Sequence, residues 1–374
     1  MSEKQVDRKK GNLGTVVVVG GNGNLGFHII NQIVSSWTFD KVISVDLRCS
    51  RNRNSQASYH ECDITDNAKL SKLFEDIKPS VVIHTASPLA NDPKTPFSLF
   101  KKVNVDGTQS VVEACQKSDV KALVYTSSAS VCCNNVNDIL NADERWPVWR
   151  YPEQTEYYSE TKAAAEEIVV NANRNAPHKL VTCSLRPAGI FGEGDAQVTP
   201  GLLKVLRDGK SHWQIGENDN IFDFTYVGNV AHAHLLAARL LLVTAAATTS
   251  PLDHEKVDGE CFFITNDSPV YFWDFARAVW RAAGSEKGKS GVWTMSKSTG
   301  VTLGSLSEVF SKLTGKAPAF TGLRARLSCV SRYYNITKAK ELLGYEPLWT
   351  LQEGVERSVR WALEQETAGY GKEK

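Results

Sequence analysis

Three side chains near the middle of the chain could move a proton to or from a substrate oxygen. Tyr158 and Lys162 stand four residues apart in TEYYSETK, a spacing that places both on one face of a helix. A phenol with a reference pKa of about 10 is a poor base at neutral pH, but a neighbouring ammonium favours the phenolate. Ser128 precedes them in VYTSSASV and could donate to the same oxygen, with Ser127 and Ser130 as competitors.

A glycine-rich loop near the start of the chain supports a catalytic role for this trio. Such support is needed because a Tyr and Lys pair at this spacing often occurs by chance. Residues 16–19 are typical of a buried strand, and the helix-like FHIINQIV follows the loop. Glycines there allow a tight turn and a close approach to a pyrophosphate at the helix N-terminus. A merely flexible turn is the alternative. The loop predicts a dinucleotide site made of Gly20, Gly21, Asn22, Gly23, Asn24, Leu25 and Gly26.

The next strand, KVISV, indicates which dinucleotide binds. It ends at Asp46, where a carboxylate can hold the hydroxyls of the adenosine ribose, which favours NAD. Arg48, Arg51 and Arg53 follow, and guanidinium groups could neutralise the 2′-phosphate of NADP. The same arginines are also compatible with a solvated loop. We therefore predict NAD and leave NADP open.

Two later strand ends supply further candidate cofactor contacts. Asp63 and Ile64 follow HEC, where the chain would meet the adenine ring. Thr85, Ala86 and Ser87 end the VVIH strand, where the chain would pass the ribose. Either group is equally compatible with an ordinary loop.

The elements that must position these residues alternate along the chain. Apolar, β-branched runs predict strands at 15–19, 41–45, 81–84, 122–126 and 180–185. Helical stretches lie between them, at 25–35, 67–75, 104–117 and 156–173. This alternation is typical of an α/β fold, a Rossmann-type doubly wound parallel sheet.

The later part of the chain is less regular. We expect loops at 216–220, 249–259 and 285–300, and an amphipathic C-terminal helix whose apolar side includes Val355, Val359 and Leu363. The predicted organisation is a polar tail (1–14), a dinucleotide-binding domain (15–186), a smaller mixed α/β substrate region (187–366) and a second polar tail (367–374).

Composition excludes several classes of protein. The 374 residues carry 43 Lys and Arg against 42 Asp and Glu, a net charge of +1, so no basic field favours nucleic acid. The longest apolar candidate, 235–248, is short and is interrupted by Arg239, which predicts no transmembrane helix. The first fourteen residues lack the apolar core of a secretory signal, so we expect a cytosolic start.

Metal and disulfide sites are not expected. Eight cysteines are scattered without a CxxC pair, and we interpret them as reduced thiols. His232 and His234 are two residues apart on a helix and therefore face different directions.

Motifs along nearly the whole chain resemble a known family. VVIHTASP, NVDGT, VYTSSASV, TEYYSETK, LRPAGIFGEGD, FFITND and RYYNITKAKELLGY are similar to the extended short-chain dehydrogenase/reductase family, in its 3β-hydroxysteroid dehydrogenase branch. The resemblance implies NAD(P)-dependent oxidation of the 3β-hydroxyl of a 4α-carboxy sterol or related triterpenoid, with decarboxylation to the 3-ketone. Such C4 demethylation belongs to sterol biosynthesis or to fusidane-type triterpenoid biosynthesis.

The resemblance also assigns roles to individual residues. It places Ser128 and Tyr158 on the substrate hydroxyl, lets Lys162 hold the nicotinamide ribose, and makes Asn104 the residue that orders a proton relay. It puts Pro187, Ala188 and Gly189 beside the nicotinamide. The implied partners are an oxidase and a ketoreductase of a C4-demethylation complex at the endoplasmic reticulum, and a homodimer stays open.

Residues 285–300 depart from the family's pattern, because they are more polar than the proline-containing apolar stretch expected there. Peripheral membrane contact, or simply a cytoplasmic location, is therefore left open. The same fold hosts sugar-nucleotide epimerases and other reductases, so the substrate rests on the resemblance. A non-catalytic redox sensor is a further alternative, although it would not need the Ser, Tyr and Lys trio.

Overall fold

A seven-stranded parallel sheet forms the centre of the protein. The computed structural model describes residues 11–90, 95–134, 136–314 and 321–368. The sheet order is β12-β7-β5-β4-β1-β2-β3. Its strands are β1 (Thr15–Val19), β2 (Lys41–Asp46), β3 (Ser58–Glu61), β4 (Val81–His84), β5 (Ala122–Thr126), β7 (Val181–Pro187) and β12 (Cys261–Ile264). Because β1 pairs with both β2 and β4, the connections diverge at β1, and ligands of such sheets bind at this point.

Helices cover both faces of the sheet, which confirms the doubly wound prediction. On one face lie α2 (Asn67–Ile77), α4 (Thr108–Lys117) and α5 (Tyr157–Asn171), and their apolar residues share a core with alternate strand positions such as Val17 and Leu123. On the other face, α1 (Asn24–Ser36) and α7 (Val227–Ala246) pack around Val18 and Val124. Strands buried on both faces explain the continuous apolar runs in the sequence.

The later part of the chain packs beside the carboxyl ends of the strands. Its helices are α6 (Val198–Arg207), α8 (Phe272–Ala282), α9 (Lys297–Thr314), α10 (Gly322–Leu327), α11 (Thr337–Leu343) and α12 (Leu351–Thr367), and α3 (Phe97–Phe100) lies earlier. A four-stranded sheet joins β13 (Val270–Tyr271), β10 (Ile221–Phe222), β15 (Arg332–Tyr334) and β6 (Ile139–Ala142). Aromatic packing holds the region together, with Phe224 and Phe275 stacked at a ring distance of 3.7 Å.

Two small sheets complete the region, β8 (Gly189–Phe191) with β11 (Phe224–Tyr226), and β9 (Trp213–Ile215) with β14 (Trp293–Met295). The expected loop at 285–300 is therefore wrong in part, since it contains β14 and the start of α9. Trp293 packs edge-on against Trp213 with 5.5 Å between the ring centroids. This long-range pairing has no local periodicity that the sequence could have shown.

Two helix predictions also need correction. The predicted helix at 104–117 begins as a π-helix, Lys101–Gly107, and α4 starts only at Thr108. In α12, Val355 and Val359 are buried as expected, but Leu363 is 40% exposed because the neighbouring Ala362, which is buried, takes the core position in that turn.

The chain divisions at 14/15 and 186/187 stay proposals. Leu13 is buried, β7 runs through Pro187, and β12 joins the main sheet from the later part. The predicted tails at 1–10 and 369–374 lie outside the described residues.

Among the described residues, one helix, α7, is long and apolar enough to span a membrane, judged by length and composition alone. It is 67% buried within the protein, and a core helix passes the same test. His234 on this helix pairs with Thr126 Oγ1 at 2.7 Å. In the described part of the chain, no group of three or more His, Cys, Asp or Glu side chains could hold a metal ion.

Candidate active site

The glycine loop after β1 forms a cradle that side chains would fill. Gly20 has a φ of +82°, and a Cβ there would lie 2.7 Å from the backbone nitrogen of Ala86. A Cβ on Gly26 would lie 2.2 Å from the carbonyl oxygen of Gly20. Helix α1 has Gly23 as its N-cap, with no side-chain cap hydrogen bond. Its first N–H groups therefore remain free for an anion, and the loop fits the pyrophosphate of a dinucleotide.

Asn22 and Asp46 brace the loop rather than point freely at a ligand. The Asp46 carboxylate accepts a hydrogen bond from the backbone N–H of Asn22 at 3.0 Å. The Asn22 side chain donates to the carbonyl oxygen of Arg51 and accepts from Ser44 Oγ, each at 2.6 Å. These bonds hold the end of β2 against the glycine loop, where Asp46 can receive ribose hydroxyls.

The basic residues after Asp46 are not all equally available. Arg53 lies over the ring of Tyr59, 4.4 Å from its centroid. Arg48 is exposed and lies two residues beyond the carboxylate.

The nearby Asn24 Oδ1 is buried and has no hydrogen-bond partner in the described part of the chain, so it is a free acceptor beside the cradle.

Three other sequence-derived cofactor residues make contacts within the protein itself. Asp63 accepts hydrogen bonds from the N–H and Oγ1 of Thr65, at 2.9 and 2.8 Å, and therefore stabilises its own turn. Ile64 packs against Gly107, where a Cβ would lie 2.6 Å from Ile64 Cδ1. Thr85 Oγ1 donates to the carbonyl oxygen of Val19 at 3.0 Å, which fixes the end of β4 beside the loop.

Tyr158 lies in the first turn of α5 and meets residues from two strand ends. The side chains of Ser87 and Ser128 lie near its hydroxyl group and act on its pKa. Burial raises the pKa of Tyr158 to about 12, with Glu156 adding to the increase and the two serines opposing it. The ring of Phe100 packs edge-on at a centroid distance of 5.9 Å. Tyr158 and Ser128, predicted from the sequence, are thus brought together.

Lys162 is fully enclosed beneath Tyr158. Its Nζ donates to the carbonyl oxygen of Thr126 at 2.5 Å and lies 4.6 Å from the centroid of the Tyr125 ring. Burial lowers the pKa of Lys162 to about 7, and the Glu166 carboxylate one turn later opposes that shift. The ammonium can thus lose or regain its proton near neutral pH.

Asn104 supports the catalytic helix from the π-helix. Its Nδ2 donates to Thr161 Oγ1 at 3.0 Å, and that hydroxyl donates to the carbonyl oxygen of Tyr158 at 2.8 Å. Asn104 Oδ1 is buried and has no partner among the residues described. A π-helix widens the backbone at functional sites. Here it brings Asn104 against the turn that carries Tyr158 and Lys162.

Three further predicted residues lie at the same edge of the sheet. Ser127 donates its N–H to the carbonyl oxygen of Leu185 at 2.7 Å, and its buried Oγ lacks a partner in the described segments. Pro187 ends β7 opposite Ile264, and Gly189 opens β8 opposite Phe224. All three line the carboxyl edge onto which the cofactor loop also opens.

Two groups around the site were missed by sequence reasoning. His84, fully buried at the end of β4, bonds through Nε2 to Thr108 Oγ1 at 3.0 Å, and burial together with the nearby Lys162 lowers its pKa to about 3. Arg186 forms a buried ion pair with Glu166 at 2.6 Å. An arginine inside the apolar strand SLRP was the one available signal, because a buried charge requires a partner.

The fold and site together define the class: a Rossmann-type oxidoreductase of the extended short-chain dehydrogenase/reductase kind, which binds NAD or NADP. The model of the 3-beta hydroxysteroid dehydrogenase/isomerase family matches residues 17–295. The chain belongs to this family.

Relatives and solved structures agree. The chain is 41% identical to sterol-4-alpha-carboxylate 3-dehydrogenase, decarboxylating, of Saccharomyces cerevisiae over 93% of this chain and 97% of that protein. It is 35% identical to the Mus musculus protein of the same name, covering 92% and 89% respectively. A dTDP-glucose 4,6-dehydratase from Bacillus anthracis, solved with NAD, matches with a TM-score of 0.66 at 17% identity, over 94% of this chain and 97% of that one. This last likeness concerns the fold alone.

Proposed function

We propose that this protein oxidises the 3β-hydroxyl of a 4α-carboxy sterol, or of a related triterpenoid, to the 3-ketone with loss of the carboxyl group. The observation that carries the proposal is the proximity of Ser128 to the Tyr158 hydroxyl, with Lys162 one turn further along the same helix. The relatives' names supply the substrate, since dehydrogenases of this carboxylate in yeast and mouse share 41% and 35% identity with the chain.

The reaction divides into an oxidation and a bond cleavage. A nicotinamide cofactor held by the glycine loop would supply the acceptor for the hydride of C3. Tyr158 takes the hydroxyl proton, and Ser128 donates a hydrogen bond to the oxygen as its charge changes. The product is a β-keto acid. Its C4–carboxylate bond then breaks, the electron pair passes into an enolate of the new ketone, carbon dioxide leaves, and a proton returns to C4.

The remaining assignments are part of the same proposal. The glycine loop binds the pyrophosphate, Asp46 the adenosine ribose, Lys162 the nicotinamide ribose, and Asn104 a proton relay. NAD is preferred over NADP because the Asp46 carboxylate is held beside the loop by Asn22, where a 2′-phosphate would meet a negative charge. The other cofactor contacts are Asp63, Ile64, Thr85, Ala86, Ser87, Arg48, Pro187 and Gly189.

We infer that the protein works beside a membrane, because its proposed substrate is a sterol. Helix α9 supports this inference with an exposed apolar row, Leu303, Leu306 and Phe310, whose side chains are 47%, 59% and 65% exposed. An oxidase that makes the carboxylate and a ketoreductase that consumes the ketone would be its partners at the endoplasmic reticulum. Sterol biosynthesis and fusidane-type triterpenoid biosynthesis both fit this chemistry.

Substitution of the catalytic phenol tests the proposal. Tyr158→Phe should reduce NADH formation from a 4α-carboxy-3β-hydroxysterol at least 1000-fold, which is about 4 kcal/mol of transition-state stabilisation, while leaving NAD affinity within a few fold. Tyr157→Phe is the matched control, since the neighbouring ring packs against Phe97 at 5.3 Å and takes no part in the site. Substantial turnover by Tyr158→Phe would refute the assignment.

A further inference from the structure

A buried glutamine joins the two chain segments that carry Ser128 and Tyr158. These two residues are thirty positions apart in the sequence. Gln154 lies shortly before α5 and is 2% exposed. Its Nε2 donates to the carbonyl oxygen of Cys133 at 2.7 Å, and its Oε1 accepts from the backbone N–H of Glu156 at 3.1 Å. One side-chain amide thus contacts both segments.

The Cys133 end of this bridge fixes the turn that presents Ser128. Cys133 caps the 3₁₀ helix Ala129–Cys132, and its N–H donates to the carbonyl oxygen of Ser130 at 3.0 Å. At the other end of the same helix, Ser128 Oγ accepts from the N–H of Ser130 at 3.1 Å. Because a 3₁₀ helix of this length is a single hydrogen-bonded turn, a shift of Cys133 is passed on to the Ser128 hydroxyl.

The Glu156 end of the bridge fixes the turn that presents Tyr158. Glu156 is the N-cap residue of α5, and its Oε2 accepts from the backbone N–H of Ser159 at 2.8 Å. Tyr158 lies between these two residues in the first turn of the helix. Gln154 therefore holds the cap, and the cap holds the turn that carries the phenol.

Other contacts hold the loop itself, which comprises residues 143–156 between β6 and α5. The N–H of Trp149 donates to the carbonyl oxygen of Val131 at 2.9 Å. Arg150 pairs with Glu160 of α5 at 3.0 Å. The loop thus stays attached to the 3₁₀ helix and to α5 when the glutamine side chain is changed. The amide adds a fixed spacing between the two segments.

We propose that Gln154 is a positioning residue that sets the distance between the hydroxyl groups of Ser128 and Tyr158. This proposal rests on the proposed function, in which both hydroxyls meet the reacting oxygen of the substrate. Gln154 itself contacts neither substrate nor cofactor. A glutamine suits the role because its neutral amide supplies a donor and an acceptor at one tip, whereas a charge buried there would be costly.

Gln154→Met tests the proposal, because it keeps the length of the side chain and removes both hydrogen bonds. We expect kcat for the 4α-carboxy-3β-hydroxysterol to fall about 10- to 100-fold, the effect of displacing reacting groups by about 1 Å. KM and NAD affinity should change less than about 3-fold, since the substitution misaligns the reacting groups and leaves the binding contacts in place.

The same substitution in a Ser128→Ala background shows through which group Gln154 acts. There it should lower kcat by less than about 3-fold, because the hydroxyl that it misplaces is already absent. An equal loss in both backgrounds would overturn the proposal, since Gln154 would then act independently of Ser128.

Gln214→Met is the matched control for the loss of a buried amide. Gln214 is buried in β9, donates to the carbonyl oxygen of Gly216 at 2.8 Å and accepts from Arg277 at 3.1 Å. Its substitution should lower the free energy of unfolding, measured in urea, about as much as Gln154→Met does, because each removes a buried donor and acceptor. Its kcat should stay within about 3-fold of the wild type, and a loss equal to that of Gln154→Met would contradict the positioning role.

Crystal structures of the wild type and of Gln154→Met separate this proposal from the proposed function, because they need no turnover. We expect the distance between the Ser128 and Tyr158 hydroxyl oxygens to be about 0.5–1 Å longer in the variant, and an unchanged distance would refute the positioning role. Wild-type protein that fails to oxidise the acid would refute the proposed function, and this distance would still decide the role of Gln154. If Gln154→Met does not fold, Gln154→Asn, whose amide is one methylene shorter, replaces it in every comparison.

Discussion

At the scale of single residues, burial dominates the acid–base groups of the site. The sequence suggests that Lys162 lowers the pKa of Tyr158. The structure shows instead that burial raises the pKa of Tyr158 to about 12 and lowers that of Lys162 to about 7. Both shifts favour the neutral forms. Proton transfer from substrate to Tyr158 therefore depends on added positive charge in the crevice, which an oxidised nicotinamide supplies when bound.

Lys162→Met tests the cost of enclosing this amine in the cofactor-free protein. The pKa of Lys162 is lower in the folded state than its ordinary value. Above about pH 10.5 the amine is neutral in both states, and its burial then costs no protonation energy. As pH falls from there towards 7, the unfolded chain binds the proton more readily, and the folded protein loses stability. We expect Lys162→Met to gain stability over the wild type by roughly 1.4 kcal/mol per pH unit between about pH 10 and 7, then to level off. Thermal unfolding from pH 6 to 9.5 measures the difference.

An exposed lysine provides the comparison. Lys121→Met removes an exposed ammonium and controls for the loss of a positive charge without the release of a buried one. A gain for Lys162→Met that does not grow as pH falls would show that the buried amine is not the cause.

At the scale of elements, helix α5 is the part that the site requires to be rigid. It carries both Tyr158 and Lys162, and the buried Glu166–Arg186 ion pair ties it to β7. Ser184 Oγ donates to the same carboxylate at 3.1 Å. Fixed on the sheet in this way, the helix holds the phenol above the crevice without support from a ligand.

Glu166→Gln should weaken this attachment strongly, because it leaves the Arg186 charge buried without an anion. We expect the free energy of unfolding to fall by about 3–5 kcal/mol. Glu167→Gln is the matched change one residue later, in an exposed pair with Arg150, and should cost less than about 1 kcal/mol. Urea unfolding of both variants measures the contrast, and similar losses would contradict a structural role for the ion pair.

At the scale of the whole molecule, an exposed apolar row lies on α9, a helix that carries none of the assigned catalytic residues. The polar residues 285–300 had placed membrane contact in doubt. The exposed apolar row lies just beyond them, where Leu306 and Phe310 stand four residues apart on one face of α9. Under the proposed function, this row is the surface that would contact a membrane.

The double substitution Leu306→Glu with Phe310→Glu tests this arrangement. We expect it to reduce co-sedimentation with phospholipid vesicles at least 5-fold, because two carboxylates must then be desolvated at the lipid interface. Turnover of detergent-dispersed substrate should stay within 2-fold. Leu252→Glu, at an exposed apolar residue in a distant loop, should change neither property. Unchanged vesicle binding by the double variant would exclude α9 as the contact.

The sequence by itself determined what is local. The strand, glycine loop and helix around Gly20 to Gly26 are consecutive, and the Tyr158–Lys162 spacing follows from helix geometry, so both could be predicted residue by residue. The alternation of strands and helices likewise predicted the parallel sheet. Only its order and edge strand β12 required the structure.

The tertiary structure alone decided which distant groups meet. Ser87 reaches Tyr158, His84 lies near Lys162, and Arg332 approaches the Ser128 segment through Tyr334. None of these contacts produces a periodic pattern in the sequence. Each depends on strand register and on the packing of whole elements, and burial then shifts the pKa of Tyr158, Lys162 and His84.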